Sequence, residues 1–209
     1  PQATYAISLD IEVLACCLET KEPCKAHDSP LLIVDEAVHA KWHDQFIQNS
    51  NYKIGVICQS LNYQAHSHTP QVKYFYPLAC MQDVSLYTFD TFNIADVPEH
   101  INIYSFSSRT KKSLPDVGAI LAHLDVLITN QPFVAHLASA LGKTVWLVTQ
   151  DENIEFTKRY KNIEIFKEAK DRNVIFDMMH HLACTMQKPT AQIVTAEIAT
   201  GELIDKMTI

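Results

Sequence analysis

The sequence predicts an α/β protein built on a parallel sheet flanked by helices. Short runs rich in β-branched and aromatic residues recur between residues 53 and 166, and segments of helical pattern separate them. Strands that alternate with helices in this way form βαβ units and a Rossmann-like parallel sheet. The length and composition are consistent with this fold. A chain of 209 residues, 47% of them hydrophobic and 20% charged, is long enough for one well-packed core, or for one domain with a short additional segment.

The individual elements follow from the same patterns. The predicted strands are 53–58, 84–89, 101–106, 125–129, 144–148 and 163–166. The predicted helices are roughly 71–81, 115–123, 131–141 and 173–186. Ligands of parallel sheets bind at the carboxyl ends of the strands. The segments in which to look for a site are therefore 59–63, 87–90, 107–110, 130–133 and 149–152.

Residues 1–50 are interpreted as a linker or the end of a preceding domain. They contain an apolar helical stretch at 11–18, a loop at 21–30, and a helix from about 35 to 49 with Trp42 and Phe46 on one face. Residues 51–187 form the predicted Rossmann-like domain, and 188–209 a short C-terminal tail.

Composition narrows the function. A net charge of −7 argues against a nucleic-acid-binding surface, and the apolar runs are far shorter than the ~20 residues that span a bilayer. The six cysteines have no disulfide-scaffold spacing and several lie in apolar runs, as buried free thiols do. This pattern predicts a cytoplasmic protein.

Neither a metal site nor a cofactor is predicted. Cys24-x-x-His27 and His66-x-His68 are close pairs, but neither has a second half at zinc-site spacing. Only four glycines occur, with no GxGxxG and no GxxxxGK[ST] pattern, so the usual phosphate-cradling loops are missing.

The most informative segment is 124–148, LDVLITNQPFVAHLASALGKTVWLV. It predicts a buried strand, a tight turn, a helix ended by Gly142, and a second buried strand adjacent or nearly adjacent to the first. Leu137, Ala138 and Leu141 are expected to be buried, and Gly142 is expected to have a positive φ.

This segment resembles the signature region of heptosyltransferases and of the related glycosyltransferases fused to tetratricopeptide repeats. VAHLA at 134–138, ALGK at 140–143 and Val145-Trp146 carry the resemblance, and KIGVIC at 53–58 resembles the strand that opens the family's C-terminal domain. The similarity covers about 1–186. It implies the donor-binding half of a GT-B fold, with the acceptor domain absent or upstream.

The chain departs from the family in the turn after the strand at 125–129. The family carries Asp-Thr-Gly or Asp-Thr-Ala there: the Asp contacts the donor sugar, and the next two residues offer backbone N–H groups to the diphosphate. Here these positions hold Gln131, Pro132 and Phe133. Gln131 has no charge, Pro132 has no N–H, and Phe133 cannot approach a phosphate as closely as Gly.

The resemblance makes six residues candidates for binding a nucleotide-diphosphate sugar: Gln59, Arg109, Asn130, Gln131, Phe133 and His136. The loop that begins at Gln59 contains no Lys or Arg, and Tyr87, Thr88, Phe89 and Asp90 replace the Lys that often follows the second strand. Arg109 belongs to the cationic cluster, with Lys111 and Lys112, that could substitute. His136, which the family also has, either packs under the turn or contacts the donor.

The end of the chain, GELIDKMTI at 201–209, resembles the opening of a small uncharacterised domain family associated with envelope-polysaccharide genes. This resemblance implies that the chain is part of a larger protein. The alternative is a helical tail on the same domain.

Three functions stay open at this point. One is a transferase-derived domain with weakened or lost sugar transfer, which binds or organises within a larger protein. Another is an active glycosyltransferase whose acceptor domain lies upstream. The third is an unrelated nucleotide-binding Rossmann protein, which the missing glycine fingerprint disfavours.

Overall fold

The computed structural model describes residues 30–47, 49–58, 71–90, 97–99, 101–106, 113–149, 154–167 and 172–186. Their strands are β1 (Tyr52–Ile57), β2 (Val84–Thr88), β3 (Ile103–Ser105), β4 (Val126–Thr129), β5 (Thr144–Val148) and β6 (Ile163–Phe166). Their α-helices are α1 (Glu36–Ile47), α2 (Leu114–Ala122), α3 (Pro132–Ala140) and α4 (Arg172–Thr185). Two 3-10 helices span Val72–Cys80 and Glu155–Arg159.

The strands form one six-stranded parallel sheet in the order β3-β2-β1-β4-β5-β6. The α/β prediction is therefore confirmed, and β4 and β5 are neighbours as expected, with Thr129 opposite Leu147. The strand order reverses between β1 and β4, which makes their carboxyl ends the switch point where Rossmann-like sheets bind ligands.

Two hydrophobic cores cover the two faces of the sheet. One packs the first 3-10 helix and α4 on the sheet and includes Phe75 and Met178. The other includes Trp42 and Phe46 of α1, together with side chains from α2 and α3. The prediction that Trp42 and Phe46 share a face is confirmed, and this face packs into the second core.

The end of α3 agrees with the prediction for Gly142. Its φ is +77°, a conformation that L side chains rarely adopt, and its N–H donates to the Ser139 carbonyl at 2.9 Å. The burial prediction for α3 is partly wrong, because Ala138 is buried while Leu137 and Leu141 are half-buried at the edge of the core. The helix lies close on the sheet through small residues, so its larger leucines reach the periphery.

The segment 71–81 differs from the predicted helix. It forms a nine-residue 3-10 helix with Pro77 inside it. Proline lacks the N–H that an α-helix would use at that position, and its ring clashes with the preceding turn. The buried face of the segment is nevertheless apolar, as the hydrophobic pattern indicated.

Among the cysteines that the structure describes, Cys58 is buried, Cys80 is half-buried and Cys184 is exposed. The buried-thiol interpretation therefore holds for Cys58 alone of these three. Within the described ranges, no helix combines the length and the apolar character needed to span a bilayer.

Candidate functional site at the switch point

The carboxyl ends of β1 and β4 are joined by side-chain hydrogen bonds. The Thr129 hydroxyl donates to the Ile57 carbonyl at 2.5 Å and accepts from the Gln131 N–H at 3.0 Å. The Gln131 side-chain amide donates to the Cys58 carbonyl at 3.1 Å and to Asn130 Oδ1 at 3.0 Å. These bonds fix the turn that follows β4, and they occupy the side-chain N–H groups of Gln131.

A buried carboxylate lies beside this turn. Asp90, two residues past the end of β2, is 1% exposed and accepts a hydrogen bond from the Cys58 N–H at 3.1 Å. Its own N–H donates to the Thr88 hydroxyl at 2.9 Å. The sequence prediction counted Tyr87 and Thr88 among the residues after the second strand, but both lie within β2.

The Cys58 thiol is not activated for nucleophilic chemistry. Burial raises its pKa well above the usual range, and the negative charge of Asp90 raises it further, against a hydrogen bond from the Asn130 backbone that lowers it. A thiol must lose its proton to act as a nucleophile or metal ligand. The structure therefore gives Cys58 a packing role.

Helix α3 begins at this turn without a side-chain cap. Gln131 occupies the N-cap position with an extended backbone, and its side chain makes no capping bond. Pro132 follows as the first helical residue, and Phe133 is 57% exposed. A helix N-terminus normally offers several N–H groups to an anion. Here the first position has none, and a large aromatic ring stands at the second.

His136, one turn into α3, is half-buried and contacts Tyr160 after the second 3-10 helix. Its Nδ1 lies 3.3 Å from the Tyr160 hydroxyl, and the two rings meet edge to face at 5.6 Å. His136 is therefore packed and hydrogen-bonded against Tyr160, and its contact with a donor stays a prediction.

Four of the six candidate residues lie close together in the chain: Asn130 and Gln131 in the β4–α3 connection, and Phe133 and His136 near the start of α3. Gln59 and Arg109 lie outside the described residues, as do Lys111, Lys112, His66 and His68. Tyr160 and Thr129 were not predicted from the sequence as parts of this region. Asp90 was singled out from the sequence because it follows a predicted strand. Its contact with Cys58 could not be predicted, because that contact depends on how β1 and β2 pair.

The sheet order defines a Rossmann-like α/β domain, and its fold is similar to that of heptosyltransferase-like glycosyltransferases. The glycosyltransferase family 9 structure from Veillonella parvula DSM 2008 is similar at a TM-score of 0.52 and 12% identity, over 94% of this chain and 59% of that one. The E. coli heptosyltransferase WaaC with ADP is similar at a TM-score of 0.46 and 12% identity, over 75% of this chain and 48% of that one. E. coli ADP-heptose lps heptosyltransferase II is similar at a TM-score of 0.47 and 13% identity, over 80% of this chain and 54% of that one.

The chain thus spans about half the length of these solved transferases. No protein-family model matches the sequence. A translation initiation factor IF-2 from Wolinella succinogenes is 25% identical over 112 residues, which are 51% of this chain and 12% of that protein. At these identities the likeness to the transferases defines the fold, and the chemistry of the site has to be argued from its residues.

Proposed function

We propose that this chain is a glycosyltransferase-derived domain that no longer binds a nucleotide diphosphate tightly. In this proposal it serves as a binding or organising domain of a larger, envelope-polysaccharide-related protein. The observation that carries the proposal is the turn formed by Gln131, Pro132 and Phe133 at the switch point between β1 and β4.

The hydrogen-bonding capacity of this turn is poor for a diphosphate. Pro132 contributes no N–H at the first position of α3, and the Gln131 side-chain amide already donates to the Cys58 carbonyl and to Asn130. The exposed ring of Phe133 stands where the related transferases have a small residue. An incoming diphosphate would meet an aromatic ring in place of a close backbone approach.

The charge beside the turn is also unfavourable. Asp90 places a buried carboxylate against the Cys58 N–H, and a second anion in the same crevice would be repelled by it. Transferases of this type depend on positive charge already placed around the phosphates. Each charge-assisted hydrogen bond contributes ~1.5–3 kcal/mol, so losing two or three lowers affinity by about two to six orders of magnitude.

Calorimetric titration of the chain with UDP-, GDP- and ADP-sugars tests this proposal. We expect dissociation constants weaker than about 1 mM, where binding contributes only ~4 kcal/mol. A micromolar dissociation constant that weakens on His136→Ala or Arg109→Ala would restore the alternative, an active transferase. In that case the acceptor domain would be supplied upstream.

The organising role is supported by an exposed apolar segment ahead of α1. The N–H groups of Leu31 and Leu32 donate to the Ala140 carbonyl at 2.7 and 2.9 Å, which anchors the segment on the end of α3. Yet both side chains are exposed, and Ile33 is 93% exposed. We propose that a neighbouring domain of the longer polypeptide covers them. Ile33→Ser should then lower the melting temperature of the full-length protein more than that of the 209-residue chain, and equal effects would contradict this role.

A further inference from the structure

Three imidazole rings meet between α1 and the end of α2. His39 and His43 lie four residues apart on α1, and His123 directly follows α2. The ring centroids are 4.0 Å apart for His39 and His123, 5.7 Å for His43 and His123, and 6.5 Å for His39 and His43. We refer to these three residues as the histidine cluster.

The histidine cluster is part of the contact that holds α1 on the domain. The Nε2–H of His123 donates to the His39 carbonyl at 3.2 Å. Phe46, which is buried, stacks on the His123 ring at a centroid distance of 4.8 Å and an interplanar angle of 17°. Any change in the charge of His123 therefore acts directly on the docking of α1.

The charges that face the cluster are mainly positive. Lys143, in the connection between α3 and β5, acts on His123, and Asp125, before β4, acts on Lys143. Burial lowers the pKa of His123, and His39, His43 and Lys143 lower it further, against the hydrogen bond to the His39 carbonyl that raises it.

The other charged groups on this part of α1 have separate contacts or face solvent. Lys41 forms an ion pair with Asp116 at 2.6 Å on α2, and Asp44 is exposed. Neither Lys41 nor Asp44 contributes to the lowered pKa of His123.

A metal ion does not explain the cluster. Among the residues that the structure describes, no group of three or more His, Cys, Asp or Glu could hold one. The His39 and His123 rings are tilted by 30° at a centroid distance of 4.0 Å, so these two side chains meet by ring-to-ring contact. What the three rings share is close mutual contact at the place where α1 docks on the domain.

We propose that the histidine cluster is a pH-sensitive latch that keeps α1 docked while the imidazoles are neutral and releases it when they become protonated. Two or three positive charges within 4.0–6.5 Å repel one another, and Lys143 adds to the repulsion. Release of α1 would expose Trp42 and Phe46 and uncover their contact surface on the second core.

The direction of the pH effect follows from proton linkage. The pKa of His123 is lower in the docked state than the ordinary value of about 6.5, so the released state binds more protons. Docking is therefore fully favoured above about pH 6.5 and weakens as the pH falls below that value. The loss of docking free energy levels off once the pH is below the pKa that His123 has in the docked state.

The fluorescence of Trp42 measures the docking of α1. Trp42 and Trp146 are the only two tryptophans, so Trp146→Phe leaves Trp42 as the single reporter. Between pH 8 and pH 5 we expect its emission maximum to move to longer wavelength, with a midpoint below about 6.5. Adding His39→Gln, His43→Gln and His123→Gln should remove most of this shift, whereas His180→Gln on α4 should leave it unchanged.

Amide hydrogen exchange of the unaltered chain is the second measurement. From pH 7.5 to 5.5, after correction for the intrinsic rate, protection in α1 should fall relative to α4, because the released state binds more protons than the docked state. Equal loss in α1 and α4 would show global unfolding and overturn the latch. An unchanged Trp42 emission maximum, or the same shift in the histidine variants, would also overturn it.

Discussion

Gln131 donates its side-chain amide to the Cys58 carbonyl at 3.1 Å and so braces the ends of β4 and β1 against each other. The resemblance to heptosyltransferases assigns this position to an Asp that contacts the donor sugar. In this chain the Gln131 amide joins the ends of two neighbouring strands. Its stabilising contribution can be measured without any ligand.

We expect Gln131→Ala to lower the free energy of unfolding by about 1 kcal/mol, the usual contribution of a hydrogen bond in a partly buried setting. Urea denaturation measures the change. Gln45→Ala, at an exposed position on α1, is the matched control and should alter stability by less than about 0.5 kcal/mol. Equal stabilities of the Gln131→Ala variant and the parent would contradict the bracing role.

Gly142 is expected to be intolerant of a side chain. Its φ of +77° is strained for any L residue, and an added Cβ would lie 3.3 Å from Pro30 Cβ. Gly142→Ala should therefore destabilise the chain by about 1 kcal/mol or more. Gly118→Ala is the contrast, because Gly118 lies within α2 and an added Cβ would meet only Leu141 Cδ1 at 4.0 Å. It should be neutral or stabilising by up to ~1 kcal/mol, and the same loss in both variants in thermal unfolding would refute the argument.

Asp116 links the start of α2 to α1. Its carboxylate forms a capping box with Ser113 and accepts hydrogen bonds from Lys41 Nζ at 2.6 Å and from the Trp42 indole at 2.9 Å. We expect Asp116→Ala to cost about 0.5–2 kcal/mol of stability at pH 7, in the range of a lost helix cap. Asp44→Ala, on the exposed side of α1, is the control.

The cost of Asp116→Ala should depend on pH. Lys41, followed by Ser113 and Trp42, holds the pKa of the Asp116 carboxyl well below its usual range. A lowered carboxyl pKa stabilises the fold above the unfolded value of about 3.9, and this contribution is lost as the pH falls below it. Urea titrations between pH 6 and pH 2.5 should show the gap between parent and variant narrowing. A constant gap would mean that the charge of Asp116 contributes nothing.

Local patterns in the sequence were sufficient to predict much of the fold. The apolar runs at 126–129 and 145–148 are strands because each is buried on both faces, and Gly142 is the residue that can end α3 with a positive φ. The hydrophobic pattern at 71–81 located a buried segment but not its 3-10 geometry, since the effect of Pro77 on the helix depends on the tertiary packing around it.

The contacts of the candidate site were less predictable. Asn130, Gln131, Phe133 and His136 are neighbours in sequence, so one turn brings them together. Gln131 and Asp90 both form hydrogen bonds with the backbone of Cys58. Cys58 is 73 residues away from Gln131 and 32 residues away from Asp90. Such contacts are set by the register in which β1 pairs with β2 and β4, and a single sequence does not specify that register.

The most direct test of the central claim compares ADP-sugar binding before and after the turn is restored. The variant carries Gln131→Asp, Pro132→Thr and Phe133→Gly, which return the residue types that the resemblance assigns to a working transferase. Protein-observed NMR measures both affinities and, from the dispersion of the spectrum, verifies that the variant is folded. We expect the parent to bind more weakly than about 1 mM and the variant to bind at least about tenfold more tightly, a gain of ~1.4 kcal/mol. Micromolar binding by the parent, with no improvement in the folded variant, would contradict it.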